Sequence, residues 1–194
     1  MKRLLPLIFL LSSVAPAQAA PIYLFPVVGC DYTYAKSHHD YPATDILAKA
    51  GCKYVAATSG VIDEVNRVDS WSGKTNLGAD RGGLYVSFIG DDGVRYYASH
   101  LRSIPASIQP GVVVTAGRLL GAIGATGSAR GTAPHVHFGI SWPTPVESGV
   151  WWVRRGAVWP WKYLDAWKSG KDLSPVKEVN AKKLKLGALP PAPK

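Results

Sequence analysis

Short β-rich runs separated by glycine-containing turns constrain this sequence more than any other feature. The clearest pair covers residues 84–89 and 94–98, on either side of the turn sequence Gly-Asp-Asp-Gly at 90–93. Because Asp-Gly tolerates the positive φ angles of tight turns, this stretch predicts a β-hairpin. Further β-rich runs lie at residues 54–57, 61–65, 112–115, 119–123 and 136–140. With twenty glycines and little helical periodicity, the pattern predicts an all-β fold, an antiparallel β-sandwich or open barrel with glycine-rich turns.

The C-terminal region departs from this pattern. Residues 160–168, closed by Gly170, predict one short helix. Five of the seven tryptophans fall near it, namely Trp151, Trp152, Trp159, Trp161 and Trp167. We expect them to pack the end of the β-structure; stacking on sugar rings or lining a groove is the alternative.

The N-terminal residues have the features of an export signal. Lys2 and Arg3 precede an apolar stretch over residues 4–14 and a small-residue segment that ends near Ala19. The apolar stretch is shorter than the roughly twenty residues that a membrane-spanning helix needs. Residues 1–19 are therefore predicted to be a signal peptide, and no later segment predicts a transmembrane helix. We expect one domain over residues 20–167, secreted or periplasmic and monomeric.

The positive charge is concentrated at the C-terminus. The chain carries a net charge of +9, which becomes +7 without Lys2 and Arg3. The seven lysines from Lys168 onward, against Asp172 and Glu178, give the last segment +5 and leave about +2 for residues 20–167. This distribution gives little support to nucleic-acid binding. Residues 168–194 are predicted to form a basic, proline-containing, flexible tail that stays solvated, or that makes a weak electrostatic contact with an anionic cell envelope.

The only two cysteines, Cys30 and Cys52, form an even pair in a chain with an export signal. Such a pair favours a disulfide over two free thiols. An unstrained bond closing a loop of this size stabilises a fold by roughly 3 kcal/mol. The loop contains the segment from Ser37 to Asp45, so the bond would hold that segment in place.

The five histidines are the candidate functional residues. His135 and His137 lie two apart in a predicted strand, so both imidazoles should face one side while Val136 packs behind them. His39 precedes Asp45 by six residues. Two histidines and one carboxylate, with a fourth position open, form a catalytic rather than a structural zinc pattern.

A further histidine, His100, follows the second strand of the predicted hairpin and could donate a hydrogen bond to a developing oxyanion. The zinc-peptidase sequence His-Glu-x-x-His is absent, since Glu64, Glu147 and Glu178 are the only glutamates. The available general base is His135, beside His137.

At these residues the sequence resembles the lysostaphin-like, LytM-type zinc endopeptidases that cut peptidoglycan. The resemblance covers roughly residues 37–141 and includes the segments 39–45, 56–62, 97–101, 115–121, 124–127 and 134–138. It implies zinc bound by His39, Asp45 and His137, with His100 and His135 as the catalytic pair. It also implies that the substrate is the cross-linking peptide of bacterial cell-wall peptidoglycan.

The sequence departs from the family pattern at two places. The family places histidine four residues before aspartate, whereas the gap from His39 to Asp45 is six, which leaves His38 as the alternative ligand. Gly139 stands where the family commonly has glutamate. The rival function is a non-catalytic cell-wall-binding or hydrolase-activating domain of the same fold, which zinc content would distinguish from an enzyme.

Overall fold

The structure is a computed structural model that describes residues 22–191. The predicted signal peptide, residues 1–19, lies outside the described residues. Ten strands are described: β1 (Val27–Val28), β2 (Tyr32–Tyr34), β3 (Thr44–Ala48), β4 (Lys53–Val55), β5 (Gly60–Asn66), β6 (Leu84–Gly90), β7 (Arg95–Ser103), β8 (Val113–Val114), β9 (Leu119–Ile123) and β10 (His135–Ser141). Three α-helices follow: α1 (Trp151–Arg155), α2 (Trp161–Lys168) and α3 (Val176–Leu186). Single 3₁₀ turns lie at Gly78–Asp80, Gly127–Ala129 and Val146–Ser148.

The strands form one antiparallel sheet that curves into a nearly closed barrel. One path runs β1-β4-β9-β7-β10-β3-β2, and β6, β5 and β8 continue from the other edge of β7. The predicted all-β fold is therefore confirmed, as are the hairpin, which is β6 and β7, and the short helix, which is α2. Among the described residues no helix is long and apolar enough to span a membrane.

The core lies inside the curved sheet and is closed by the C-terminal region. Ile46, Phe88, Tyr96, Val136 and Phe138 are completely buried. The ring of Trp167 on α2 packs edge-on against Phe138, with 6.3 Å between the ring centroids. Trp167 is thus a packing residue, as expected, and α2 closes one end of the barrel.

Within residues 168–191 the helix α3 packs against the barrel, which corrects the expectation of a flexible tail over residues 168–194, although most side chains of this segment are exposed to solvent. Val179 of α3 is 2% exposed and belongs to the core. The hydroxyl of Tyr163 donates to a carboxylate oxygen of Glu178 at 2.7 Å, and the indole N–H of Trp142 donates to the Ala188 carbonyl at 2.9 Å. A few well-placed apolar and hydrogen-bonding groups hold this segment, although its overall composition is polar and basic.

The disulfide between Cys30 and Cys52 is present. It joins the turn after β1 to the start of β4, so β2, β3 and the segment between them lie inside the covalent loop. Among the described residues no cysteine is free.

Candidate metal centre and active site

Three neighbouring strands bring the central residues of the site together. In the antiparallel register, His137 of β10 lies opposite Asp45 of β3 on one side and Ser99 of β7 on the other. Directly opposed residues on neighbouring strands project to the same face of the sheet. The Nδ1 atom of His137 therefore lies 3.0 Å from Oδ1 of Asp45. His135, two residues earlier on β10, lines the same cavity, as the alternation along a strand predicts.

The structure places His38, and not His39, beside these two residues. The side chain of His38 is 6% exposed and its Nε2 lies 3.9 Å from Oδ2 of Asp45. The side chain of His39 is 76% exposed and its Nδ1 lies 3.0 Å from Oδ1 of Asp40. His38, Asp45 and His137 each offer a ligand atom, and these atoms lie within 4.8 Å of one another. The geometry thus favours the alternative ligand, His38, over the expected His39.

The physical reason is a local turn. Nδ1 of His38 lies 3.0 Å from the carbonyl oxygen of Tyr41, which draws the imidazole inward over the bend before β3. His39, the next residue along this irregular segment, is left facing solvent beside Asp40.

Hydrogen bonds to the backbone fix which nitrogen of each buried imidazole is free. A carbonyl oxygen can only accept, so Nδ1 of His38 must donate to Tyr41, and Nε2 of His137 must donate to the carbonyl of Arg155 at 3.3 Å. The remaining nitrogens, Nε2 of His38 and Nδ1 of His137, face the Asp45 carboxylate. Nδ1 of His137 is hydrogen-bonded to that carboxylate, and a divalent cation bound there would replace the bridging proton. The donor set therefore fits a divalent transition metal, and its outer hydrogen bonds are of the kind that orient metal-ligating histidines.

Electrostatics also favour the metal-binding protonation states. Burial, together with the charge of His137, lowers the pKa of His38 to about 4. Burial acts to raise the pKa of Asp45, but the hydrogen bond with His137 and the neighbouring histidines outweigh it and lower that pKa. Near neutral pH His38 is thus an unprotonated imidazole and Asp45 a carboxylate, and protons compete little with a metal for these two groups.

The second pair of histidines lies beside the cluster. The rings of His100 and His135 are 4.9 Å apart between centroids, and His100 is 6.2 Å from His137 by the same measure. Nδ1 of His100 donates to the Thr126 carbonyl at 2.8 Å, and Nδ1 of His135 donates to the Ala133 carbonyl at 2.8 Å. In both rings this leaves Nε2 free to serve a substrate or a water.

His100 has an unusual backbone and a strongly shifted pKa. Its φ angle is +64°, in the left-handed region that non-glycine residues seldom adopt. Its backbone N–H donates to the carbonyl of Gly82, which helps to hold that conformation. Burial, followed by the charges of His137 and His135, lowers the pKa of His100 to about 3. Strained backbone and shifted pKa values of this kind concentrate at functional sites.

The cluster lies in the wall of a cavity of about 870 Å³. Trp151 lines this cavity, which agrees with the alternative role given above for the tryptophans. Tyr41 and Arg155 are among the wall residues that the sequence did not single out. The hydroxyl of Tyr41 lies 3.5 Å from Nε2 of His137. Trp151 and Arg155 both belong to α1, a five-residue helix that no periodic pattern in the sequence predicts.

Comparison with known proteins identifies the family. The family model described as peptidase family M23 matches residues 39–148, more than half of the chain. This chain belongs to peptidase family M23. The match begins at His39 and therefore does not cover His38, so the choice between these histidines rests on the geometry above.

Solved structures agree with this assignment. The catalytic domain of the antimicrobial peptidase lysostaphin from Staphylococcus simulans is 25% identical, with a TM-score of 0.51 over 69% of this chain and 92% of that domain. A longer lysostaphin structure from the same organism is 26% identical, with a TM-score of 0.52 over 75% of this chain and 55% of that one. A structure from Ruminococcus gnavus described as a LytM glycyl-glycine endopeptidase has a TM-score of 0.58 at 22% identity, over 77% of this chain and 62% of that one, and shows likeness of fold alone. No curated protein sequence matched this M23 chain.

Proposed function

We propose that this M23 chain is a zinc-dependent endopeptidase that hydrolyses amide bonds in the cross-linking peptides of peptidoglycan. The observation that carries the proposal is the ligand set: His38, Asp45 and His137 converge with their free donor atoms turned toward one point. Two imidazoles and one carboxylate leave a coordination position open, which is typical of catalytic zinc. Zinc, when bound, polarises the scissile carbonyl and makes a water more acidic.

His100 and His135 are proposed to supply the proton chemistry. Because Nδ1 of His135 donates to Ala133, its free Nε2 can accept a proton from the attacking water. The low pKa of His100 keeps its ring neutral, and substrate carrying negative charge would favour a protonated donor there during the reaction. His100 is therefore proposed to stabilise the oxyanion, a role whose loss typically costs about 3 kcal/mol in the barrier.

The proposed place of action is outside the cytoplasm. The disulfide between Cys30 and Cys52 is a feature of exported proteins. The N-terminal residues 1–19 are proposed to direct that export, and the cell wall is the corresponding substrate compartment.

The test is digestion of purified peptidoglycan by the wild type and by His137→Ala, with zinc content measured in both. We expect mass spectrometry to find newly released peptides with the wild type only, and about one zinc per chain in the wild type only. Equal digestion by both proteins would contradict the zinc mechanism. A wild-type protein that binds no stoichiometric zinc and releases no peptide would instead favour a non-catalytic wall-binding domain.

A further inference from the structure

Arg155 is a buried cation without an acidic partner. The residue is 5% exposed, and among residues 22–191 no Asp or Glu side chain lies within ion-pair distance of its guanidinium. The neighbouring buried arginines differ sharply, because Arg95 and Arg154 share the carboxylates of Asp63 and Glu64. A buried charge that is left unpaired is strongly destabilising, so buried arginines are normally matched by an anion.

The protein contacts of Arg155 satisfy only part of its hydrogen-bonding capacity. One Nη atom donates to the Ala79 carbonyl at 2.7 Å, and the guanidinium lies 5.1 Å from the ring centre of Trp151. A guanidinium carries five N–H donors arranged to match a planar anion. The guanidinium is also within hydrogen-bonding reach of the Tyr41 hydroxyl, and its remaining donors are left for a ligand.

A second polar group without a partner lies beside it. Tyr97 is 2% exposed, and within the described part of the chain its hydroxyl has no hydrogen-bond partner. A Cβ atom placed on Gly82 would lie 2.5 Å from the Tyr97 hydroxyl oxygen and 3.2 Å from an Nη atom of Arg155. The hydroxyl and the guanidinium therefore both lie against the backbone of Gly82, where a methyl group would already be too close to the hydroxyl.

Arg155 lies between the metal cavity and a smaller cavity. Arg155 and Trp151 line both the cavity that contains His137 and a neighbouring one of about 190 Å³, and Tyr97 lines the smaller one. The carbonyl of Arg155 also accepts the hydrogen bond from Nε2 of His137. Arg155 thus lies next to the proposed reaction centre, just beyond the residues that the family model matches.

We propose that Arg155 forms a subsite that binds a carboxylate of the peptide substrate. The site therefore prefers acidic peptides over otherwise identical amidated ones. The identification of the ligand as a peptide rests on the proposed function; the need for an anion rests on the burial of Arg155 alone. The carboxylate belongs either to a peptide C-terminus or to an acidic side chain, and the guanidinium would bind both in the same way.

The test measures peptide binding to the full chain after zinc has been removed, so that no cleavage is needed. Pentaglycine is compared with pentaglycine amide for the C-terminal source, and Gly-Gly-Glu-Gly-Gly amide with its Gln counterpart for the side-chain source. Isothermal titration calorimetry should show at least one acidic member binding about tenfold or more tightly than its neutral counterpart, as a charge-assisted hydrogen bond implies. The pair that shows the difference identifies the source.

The decisive variant is Arg155→Met, which removes the charge and keeps the backbone carbonyl that holds His137. We expect it to bind the acidic and neutral peptides equally and to retain the zinc affinity of the wild type. Arg155→Lys keeps the charge but loses the planar guanidinium, so its preference for acidic over neutral peptides should be intermediate. If Arg155→Met does not fold, the Arg155→Lys result tests the proposal in its place. Equal binding within both pairs by the wild type, no binding of either acid at millimolar peptide, or an undiminished preference in the variants would overturn the proposal. If the wild type does not digest peptidoglycan in the separate digestion experiment, that result counts against the proposed function and not against the carboxylate subsite.

Discussion

The assignment of the first metal ligand gives the sharpest test of the site, because two adjacent histidines serve as each other's control. We expect His38→Ala to lose most of its zinc affinity and His39→Ala to keep it. The ring of His38 is 6% exposed and faces Asp45, whereas that of His39 is 76% exposed and faces Asp40. The two substitutions remove identical atoms from consecutive positions, so only placement distinguishes them.

The magnitude follows from the number of ligands. Structural zinc sites with four ligands bind with about 10–16 kcal/mol of apparent free energy near pH 7, or about 3 kcal/mol for each ligand. Since 1.4 kcal/mol corresponds to a factor of ten, losing His38 should weaken zinc binding on the order of 100-fold. The His39→Ala variant should stay within about threefold of the wild type, as surface substitutions change free energies by about 0.5 kcal/mol.

The assay is competition for zinc against a chromophoric chelator, with circular dichroism to verify that both variants fold. A rise in the zinc dissociation constant confined to His39→Ala would refute the assignment of His38 and restore the ligand that the family pattern implies. Equal losses in both variants would show that the turn around Tyr41, and not one imidazole, determines the affinity.

Four further predictions address other parts of the structure. His100→Asn, which tolerates the left-handed backbone at φ +64°, should bind zinc normally but lose about 100-fold or more in turnover, measured on peptidoglycan; wild-type turnover would remove His100 from the mechanism. In the zinc-free protein the pKa of His100 is about 3, against 6.5 in the unfolded chain, so the unfolded chain binds a proton more readily. The free energy of unfolding should therefore fall as the pH falls from 6.5 toward 3, by up to about 1.4 kcal/mol per pH unit. Urea titrations at several pH values should show a weaker pH dependence of this free energy in His100→Asn. Gly139→Ala should lower the free energy of unfolding by about 2 kcal/mol or more in urea titrations, because the new Cβ atom would lie 1.7 Å from the Arg155 carbonyl oxygen; unchanged stability would contradict that contact. Truncation after Gly170 should lower the melting temperature, because burial of Val179 alone is worth about 2 kcal/mol, and an unchanged melting temperature would support the flexible tail expected from composition.

Local sequence patterns predicted the parts of the fold that local physics determines. The Asp-Gly turn at 92–93 and the alternation on either side of it gave the β6–β7 hairpin, and the His-x-His spacing placed His135 and His137 in one cavity. Both depend on residues within one or two elements. The register that places Asp45 opposite His137 is a pairing between distant strands, and only the family resemblance anticipated it.

The choices that the sequence did not settle lie in irregular or weakly patterned segments. Residues 37–43 follow no helical or strand periodicity, so the sequence pattern could not show whether His38 or His39 turns inward. In the structure a single hydrogen bond from His38 to the Tyr41 carbonyl orients His38 inward. Composition predicted an unpacked tail because lysines dominate it, yet one buried valine and a tyrosine–glutamate hydrogen bond hold α3 on the barrel. Average polarity is a poor guide where a few side chains carry the contact.

Gly139 links the barrel to the new elements of the site. Glutamate at this position, common in the family pattern, would collide with the chain at Arg155 and Gly156, since even a Cβ atom lies 1.7 Å from the Arg155 carbonyl oxygen. The bare backbone of β10 at Gly139 therefore lets the end of α1 approach closely enough for that carbonyl to accept the hydrogen bond from His137. The same approach brings the guanidinium of Arg155 into the wall of the metal cavity. The departure from the family pattern is thus a structural requirement for the position of α1, and it connects the orientation of a metal ligand to the proposed carboxylate subsite.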